Sequence, residues 1–216
     1  MTDYKREFIR FMVENEVLLF GDFTLKSGRK APYFINTGKY RTGAQIARLG
    51  EYYAHCFHEH RIDATTLVGP AYKGIPLAVS TAVALAKMGT DVGFCFDRKE
   101  QKDHGEGGMF VGQTLQKGEK VCIVEDVMTS GKALREILPK LKAEADVHVF
   151  AMLISVDRQE RGAGEKRAVQ EAKEEFGIDV FSIVTMEDIL TAIREGDIPF
   201  SSFLPAMLAY RDRYGA

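Results

Sequence analysis

Hydrophobic and polar positions change period several times along the chain, and each change marks a predicted element. In MTDYKREFIRFMV, Phe8, Phe11 and Met12 fall on one side of a 3.6-residue repeat, which predicts an amphipathic N-terminal helix. The next stretch, FGDFTLKSGRKAPYFINTG, crowds aromatics among turn residues, predicts short irregular strands and reads as an appendage ahead of the regular pattern. From Thr42 the order settles. Ile46, Leu49, Tyr53 and Phe57 keep helical spacing, TTLVG predicts a strand, Ile75 to Lys87 a helix and DVGFCF a strand. From Lys99 to Val111, KEQKDHGEGGMFV has no usable period, and its charges and glycines predict a loop. A strand from Lys120 to Val124, a helix from about Gly131 to Ala143 and a strand VHVFAMLISV follow. A helix around Glu165 to Phe176, a strand DVFSIV and C-terminal helical segments complete the pattern.

Strands that alternate with helices predict an α/β fold, a mostly parallel central sheet covered on both faces. No Pro/Ser/Gly-rich linker, internal repeat or low-complexity tract divides the 216 residues, which predicts one domain over 1–216, with its α/β core in 42–216. Composition adds exclusions. A net charge of -2 supplies no basic field for a nucleic-acid backbone, so nucleic acid is not an expected partner. Cys56, Cys95 and Cys122 form no C-x-x-C pair and their odd number suits a reducing compartment, which makes the cytoplasm the expected location. The N-terminus is charged where a signal peptide is apolar, and the uncharged run from Gly74 to Ala86 is shorter than the roughly 20 residues of a membrane span. No membrane partner is expected.

One segment asks for a chemical explanation. In VCIVEDVMTSGKA, four β-prone residues run into Glu125 and Asp126, and then into a small-residue turn, Thr129-Ser130-Gly131, that opens a helix. Ligands of open α/β sheets bind beyond the carboxyl ends of strands, where the next helix presents unpaired N–H groups. The turn supplies such donors, two hydroxyls and a glycine that allows close backbone approach, a cradle for phosphate. Ionised carboxylates would repel that phosphate, but they accept hydrogen bonds from a vicinal diol. Phosphate on one side and diol on the other describe a ribose 5-phosphate. A P-loop would need glycine at Asp126, and no G-x-G-x-x-G follows a strand, so nucleoside-triphosphate and dinucleotide readings lose. An acidic strand end before a serine-capped helix remains the plain alternative.

The acid pair and its turn resemble the ribose-phosphate loop of the type I phosphoribosyltransferases, which bind 5-phosphoribosyl 1-diphosphate with Mg²⁺. The resemblance runs nearly end to end. FTLKSGRKAPYF, GPAYKGIPLA, DRKEQKDHGEGG, VEDVMTSGKA and SVDRQERG occur in the family's order, and together they narrow it to the members that act on orotate. Many relatives carry Asp-Asp where this chain has Glu125-Asp126, and glutamate keeps the charge with a longer reach. The resemblance implies a type I phosphoribosyltransferase fold with an N-terminal hood and a flexible catalytic loop at 99–111.

It also implies roles. Glu125, Asp126, Val127, Met128, Thr129, Ser130, Gly131, Lys132 (through its backbone N–H) and Ala133 would hold phosphoribosyl diphosphate, with Glu125, Asp126 and Lys102 catalytic. Tyr72 and Lys73, in a Gly69–Gly74 turn that could equally be an ordinary strand-to-helix connection, would meet the diphosphate. Arg98, Lys99, Lys102 and His104, otherwise a solvated charged loop, would reach it when the loop closes. Lys26 would face phosphoribosyl diphosphate, while Phe34, Ile35 and Thr129 would line the orotate pocket; by spacing alone the aromatics read as core. Arg158, just past a strand, either makes a surface ion pair with Asp157 or Glu160 or pairs bidentately with the carboxylate of orotate. His55, Cys56, His58 and His60 in HCFHEH stand at helical spacing without a further ligand cluster nearby, so a structural role is expected.

The expected reaction is transfer of the phosphoribosyl group to N1 of orotate, on the way to UMP, in a homodimer whose loop is shared between subunits. Mg²⁺ is the implied cofactor, carried mainly by substrate diphosphate and ribose oxygens, with no direct protein ligand assigned. Two rivals share the phosphate loop: a purine phosphoribosyltransferase, which should lack the hood residues and Arg158, and a non-catalytic ligand-sensing regulator, which should show a basic face or an added DNA-binding domain.

Overall fold

The computed structural model of the chain describes residues 1–25, 28–102, 108–128, 131–162 and 164–216 and, at 101 and 102, the backbone alone. Helix α1 (Asp3–Glu14) turns Phe8, Ile9 and Met12 inward, as its 3.6-residue period requires. Strands β1 (Leu18–Thr24) and β2 (Lys30–Ile35) pair antiparallel in a hairpin whose register shifts between Phe20 and Phe23. This irregularity is why no clean alternation marks them in the sequence. Helix α2 (Gly43–Glu59) opens with a capping box in which Thr42 and Gln45 satisfy each other's backbone N–H groups.

The main sheet then builds from β3 (Thr66–Val68), β4 (Gly93–Lys102), β5 (Gly108–Gly112), β6 (Lys120–Val124), β7 (His148–Asp157) and β8 (Asp179–Thr185). Its order is β5-β4-β3-β6-β7-β8, parallel throughout except for the antiparallel β4/β5 edge. Helices α3 (Gly74–Lys87), α4 (Lys132–Ala145), α5 (Ala168–Phe176), α6 (Met186–Arg194) and α7 (Leu204–Tyr214) complete the chain. Both faces are covered. In β6, Cys122 and Val124 join one apolar cluster while Val121 and Ile123 join the other. A strand buried on both faces shows no polar alternation, hence the unbroken apolar run of KVCIV.

Two expectations change. The stretch 20–38 is not an appendage: its Ala31 and Tyr33, like Phe8, Ile9 and Met12 of α1, are buried in the same cluster as Ile189, Leu190 and Ile193. Irregular strands hide their inward positions from any test of period. The stretch 99–111, expected as a loop, is largely a hairpin, since β4 runs through Lys102 and β5 returns from Gly108, pairing Asp97 with Phe110. Backbone pairing holds an edge hairpin whatever its side-chain pattern, so period cannot reveal it. His104 lies outside the described residues, as do Lys26, Thr129 and Ser130; the Lys102 side chain does too.

The chain passes from β3 to β4 on one side, then crosses back to place β6 on the other side of β3. That reversal opens a crevice between the carboxyl ends of β3 and β6, the usual ligand position in open α/β sheets.

Candidate active site

Two connections border the crevice. After β3 the chain turns sharply through Gly69–Gly74, where a Cβ on Gly69 would lie 2.2 Å from the carbonyl oxygen of Gly74 and one on Gly74 would lie 2.9 Å from that of Val124. Only glycine allows the turn to sit this close to β6. Asp97, 7% exposed at the end of the buried part of β4, accepts the Ala71 N–H at 2.7 Å and pairs with Lys140 of α4. The Ala71–Tyr72 peptide is cis, and Tyr72 stands 66% exposed with the Lys99 ammonium 4.4 Å from its ring centroid. A cation over an aromatic face is a favourable contact, so Tyr72 and Lys99 are already joined at the rim.

After β6 the backbone of the acid pair is pinned. The Tyr53 hydroxyl donates to the Glu125 carbonyl at 2.6 Å, and the Asp126 carbonyl accepts both the N–H and the hydroxyl of Ser155, at 2.9 and 2.6 Å. Fixed backbones fix the carboxylates. Asp126 Oδ2 accepts the Thr37 hydroxyl at 2.6 Å and the Lys73 ammonium at 2.8 Å, while Oδ1 accepts the Val127 N–H at 2.8 Å. Glu125 Oε1 accepts the Asp126 N–H at 2.9 Å.

These surroundings push the two acids in opposite directions. Burial, aided by the neighbouring Asp126 charge and only partly offset by the Asp126 N–H, lifts the Glu125 carboxyl to about 7. Burial also acts on Asp126, but the hydrogen bonds from Lys73 and Thr37 outweigh it and hold that carboxyl below its ordinary value. One acid is firmly ionised and the other titrates near neutrality. Gly131, at φ 70°, then turns the chain into α4, whose first residues line the same cleft and whose first-turn N–H groups have no partner within the helix. The cleft, about 240 Å³, is bounded by Tyr72 and Lys73 on one side and by 125–128 and 131–134 on the other. Val127, Met128, Lys132 and Ala133 all lie on its wall. The Lys132 side chain points away to Glu136, 3.6 Å distant.

The residues expected to face the base form a separate group. Phe34 on β2 is 37% exposed beside Phe23, and Ile35 packs against the main core. Arg158, at the end of β7, donates from Nε to the Tyr33 hydroxyl at 3.1 Å and from Nη2 to Glu160 Oε1 at 2.6 Å. The Glu160 ion pair weighed in the sequence is therefore present, within a network that also takes in the hood. Neither Phe34 nor Arg158 borders the acid-pair cleft. Arg98 is half-buried, with Nη1 3.4 Å from the Gly108 carbonyl across the β4/β5 hairpin.

Sequence reasoning missed Thr37, Tyr53, Ser155 and Asp97 as supports, and Tyr33 as a partner of both Arg158 and Glu160. Their partners lie up to 127 residues away in sequence, and no local pattern announces them. The histidines of HCFHEH are spread apart: His55 stacks on Tyr4, His60 on Phe181, and Cys56 is buried with its thiol pushed up to about 12. Among the described residues no helix is long and apolar enough to cross a membrane.

A family model, the phosphoribosyl transferase domain, matches residues 39–188. An orotate phosphoribosyltransferase of Lachnoclostridium phytofermentans is 47% identical, over 100% of this chain and 99% of that protein. One of Pseudomonas paraeruginosa is 49% identical over the whole of both chains. The crystal structure of orotate phosphoribosyltransferase from Francisella tularensis superposes with a TM-score of 0.87 at 38% identity, covering 97% of this chain and 100% of that one.

Proposed function

Because the chain belongs to the phosphoribosyl transferase family, we infer from its full-length relatives and its cleft that it transfers the 5-phosphoribosyl group of 5-phosphoribosyl 1-diphosphate to N1 of orotate. The products are orotidine 5′-monophosphate and diphosphate, a step of pyrimidine biosynthesis. The observation that carries the reading is the acid pair at the switch point: Glu125 and Asp126 beside the start of α4, with Lys73 held against Asp126. Neither rival explains Arg158 and the hood standing together at the next strand end. The 216 residues act as one domain, because hood and sheet share a core.

The chemistry follows from charge. As diphosphate leaves C1′, positive charge grows on the ribose and negative charge on the leaving group, and catalysis consists of opposing both. The α4 N-terminus and the 129–131 turn hold the 5′-phosphate, while Asp126 and Glu125 accept hydrogen bonds from the ribose hydroxyls and keep negative charge near C1′. Lys73, Arg98 and Lys99, with Lys102, His104 and Lys26, stabilise the departing diphosphate. Phe34 and Ile35 cover the base beside Thr129, and Arg158 pairs with its carboxylate. No protein nucleophile is needed, since N1 of the orotate anion attacks. Closure of the segment 99–111 over the site keeps water from the activated ribose.

Mg²⁺ fits this donor set as a metal held mainly by substrate. Two carboxylates face the cleft, one of them already accepting from Lys73 and Thr37, against the roughly six oxygens Mg²⁺ takes. Bound with the diphosphate it would supply charge neutralisation, and Glu125 and Asp126 are the cleft carboxylates that could add an oxygen to it. The enzyme works in the cytoplasm, a location supported by three buried free cysteines.

Turnover of orotate with phosphoribosyl diphosphate and Mg²⁺, followed spectrophotometrically with uracil, hypoxanthine and adenine as competitors, tests the reading. Selective consumption of orotate is expected, and preference for a purine would overturn it. The working unit is a homodimer in which Lys102 of one subunit serves the site holding Asp126 of the other. Co-refolding equal amounts of Lys102→Ala and Asp126→Asn chains then restores about a quarter of wild-type activity, since about half the dimers are mixed and each has one intact site. Verified mixed dimers with no restored activity would refute sharing alone.

A further inference from the structure

Arg158 does not stand alone at the end of β7. Its Nε donates to the Tyr33 hydroxyl at 3.1 Å, its Nη2 donates to Glu160 Oε1 at 2.6 Å, and the Tyr33 hydroxyl donates to that same oxygen at 2.6 Å. Three groups thus close a ring along one edge of the guanidinium. A guanidinium has five N–H donors in a rigid plane, so fixing the Nε/Nη2 edge also fixes the direction of the Nη1/Nη2 end. Among the described residues no hydrogen bond engages Nη1, and that end is the fork that matches a planar carboxylate.

The support is stiff and economical in charge. Tyr33 is 2% exposed and its ring meets Tyr210 edge-on at 5.6 Å, so the hydroxyl has little freedom to move. Glu160 offsets one positive charge, and Arg29 Nη1 approaches its other oxygen at 3.8 Å, leaving the cluster one net positive charge. Tyr33 also sits one residue before Phe34 on the hood strand, so the same hydroxyl ties the hood to the end of β7.

We propose that Tyr33 and Glu160 are positioning residues for base specificity, locking one edge of Arg158 so that the other meets the carboxylate of a carboxylated pyrimidine. Uracil, which has hydrogen in that place, leaves the locked fork unpaired, and a site that loses a required polar contact discriminates strongly. The inference rests on the reading of Arg158 given under Proposed function. Alternative geometry for the guanidinium would blunt the choice without touching the ribose-phosphate cleft.

Tyr33→Phe removes only the hydroxyl, and Glu160→Gln removes charge with little change of shape. Both are compared with wild type and Arg158→Ala for KM of orotate and of phosphoribosyl diphosphate, and by calorimetry for binding of orotidine 5′-monophosphate and UMP, which differ by the carboxylate. Each support variant should raise the orotate KM about tenfold and lower the preference for orotidine monophosphate over UMP about tenfold. KM for phosphoribosyl diphosphate should stay within about twofold. An unchanged preference, or equal losses for both nucleotides, overturns the inference when Arg158→Ala still abolishes the preference. Should Arg158→Ala leave the preference intact, the assignment of Arg158 falls, and this inference with it. Tyr33→Phe keeps the packed ring, so it decides the matter even where Glu160→Gln fails to fold.

Discussion

The ends of β6 and β7 lie side by side on one sheet edge, yet they manage charge in opposite ways. At β6, two carboxylates adjoin on a pinned backbone, and the cation that relieves them, Lys73, is a flexible side chain 61% exposed. At β7, the cation of Arg158 is compensated by Glu160 and Tyr33, both largely buried. An exposed lysine can be drawn away by an incoming diphosphate, whereas a planar guanidinium locked on one edge stays where it is. On the proposed function, the first end is built to exchange partners during a reaction and the second to recognise a fixed shape. The contrast suits a site whose ribose must change charge while its base must only be chosen.

The largest effect expected from breaking the contrast is at β7. Arg158→Ala leaves Glu160 and the orotate carboxylate without their shared cation, a loss of about 2 to 5 kcal/mol for orotate. Phosphoribosyl diphosphate should bind nearly as before. Calorimetry with each substrate checks it, and equal losses would make Arg158 a support of the fold instead of a reader of the base.

At β6, Asp126→Asn keeps shape but removes the charge that holds Lys73 and faces the ribose. Turnover should fall by about 10² with a smaller change in substrate affinity, as for other preorganised electrostatic contacts. An asparagine variant with full kcat would end the assignment of Asp126 to the transition state.

The pH dependence of stability separates the two acids. A carboxyl lifted to about 7 in the folded state keeps its proton between the ordinary value of about 4.3 and 7, where the unfolded chain has lost it, so stability falls as pH rises through that window. Below it the Glu125 contribution is fully present. Asp126, held down by Lys73 and Thr37, has the opposite sign: its contribution is present above the ordinary aspartate value and is lost as pH falls through its depressed one. Glu125→Gln should therefore stabilise the ligand-free protein by about 2 to 4 kcal/mol at pH 8 and hardly at all at pH 4, measured by denaturant unfolding. Parallel stability curves for variant and wild type would show that Glu125 is not strained by its surroundings.

Much of this was legible in the sequence because the relevant signals are local. The run KVCIV, the acid pair, the small-residue turn and the glycines at 69 and 74 each announce themselves within a few residues, and β6 falls where the pattern puts it. The hairpin at 99–111 was not legible, since edge pairing needs no side-chain period. The supports were not legible for another reason. Thr37 reaches Asp126 across 89 residues and Tyr33 reaches Glu160 across 127, so their roles exist only once the hood has packed on the sheet. Motifs name the groups that touch substrate, and tertiary contacts decide how those groups are held.

The smallest expected effect tests that last point at β6. The Thr37 hydroxyl donates to Asp126 at 2.6 Å and accepts from Lys73 at 3.0 Å, so it braces both members of the exchangeable pair without carrying charge. Thr37→Val keeps the branched shape and removes both hydrogen bonds, one of them to an ionised carboxylate, at a cost of about 1.5 kcal/mol. Asp126 then loses one of the three donors that depress its carboxyl, and Lys73 keeps the ion pair but loses its brace. The KM for phosphoribosyl diphosphate should rise by about tenfold or less while that for orotate stays level, which is the reverse of the Arg158→Ala pattern. If Thr37→Val instead weakened orotate as strongly as phosphoribosyl diphosphate, the two strand ends would be one coupled site, and the division of labour between exchangeable and fixed charge would fail.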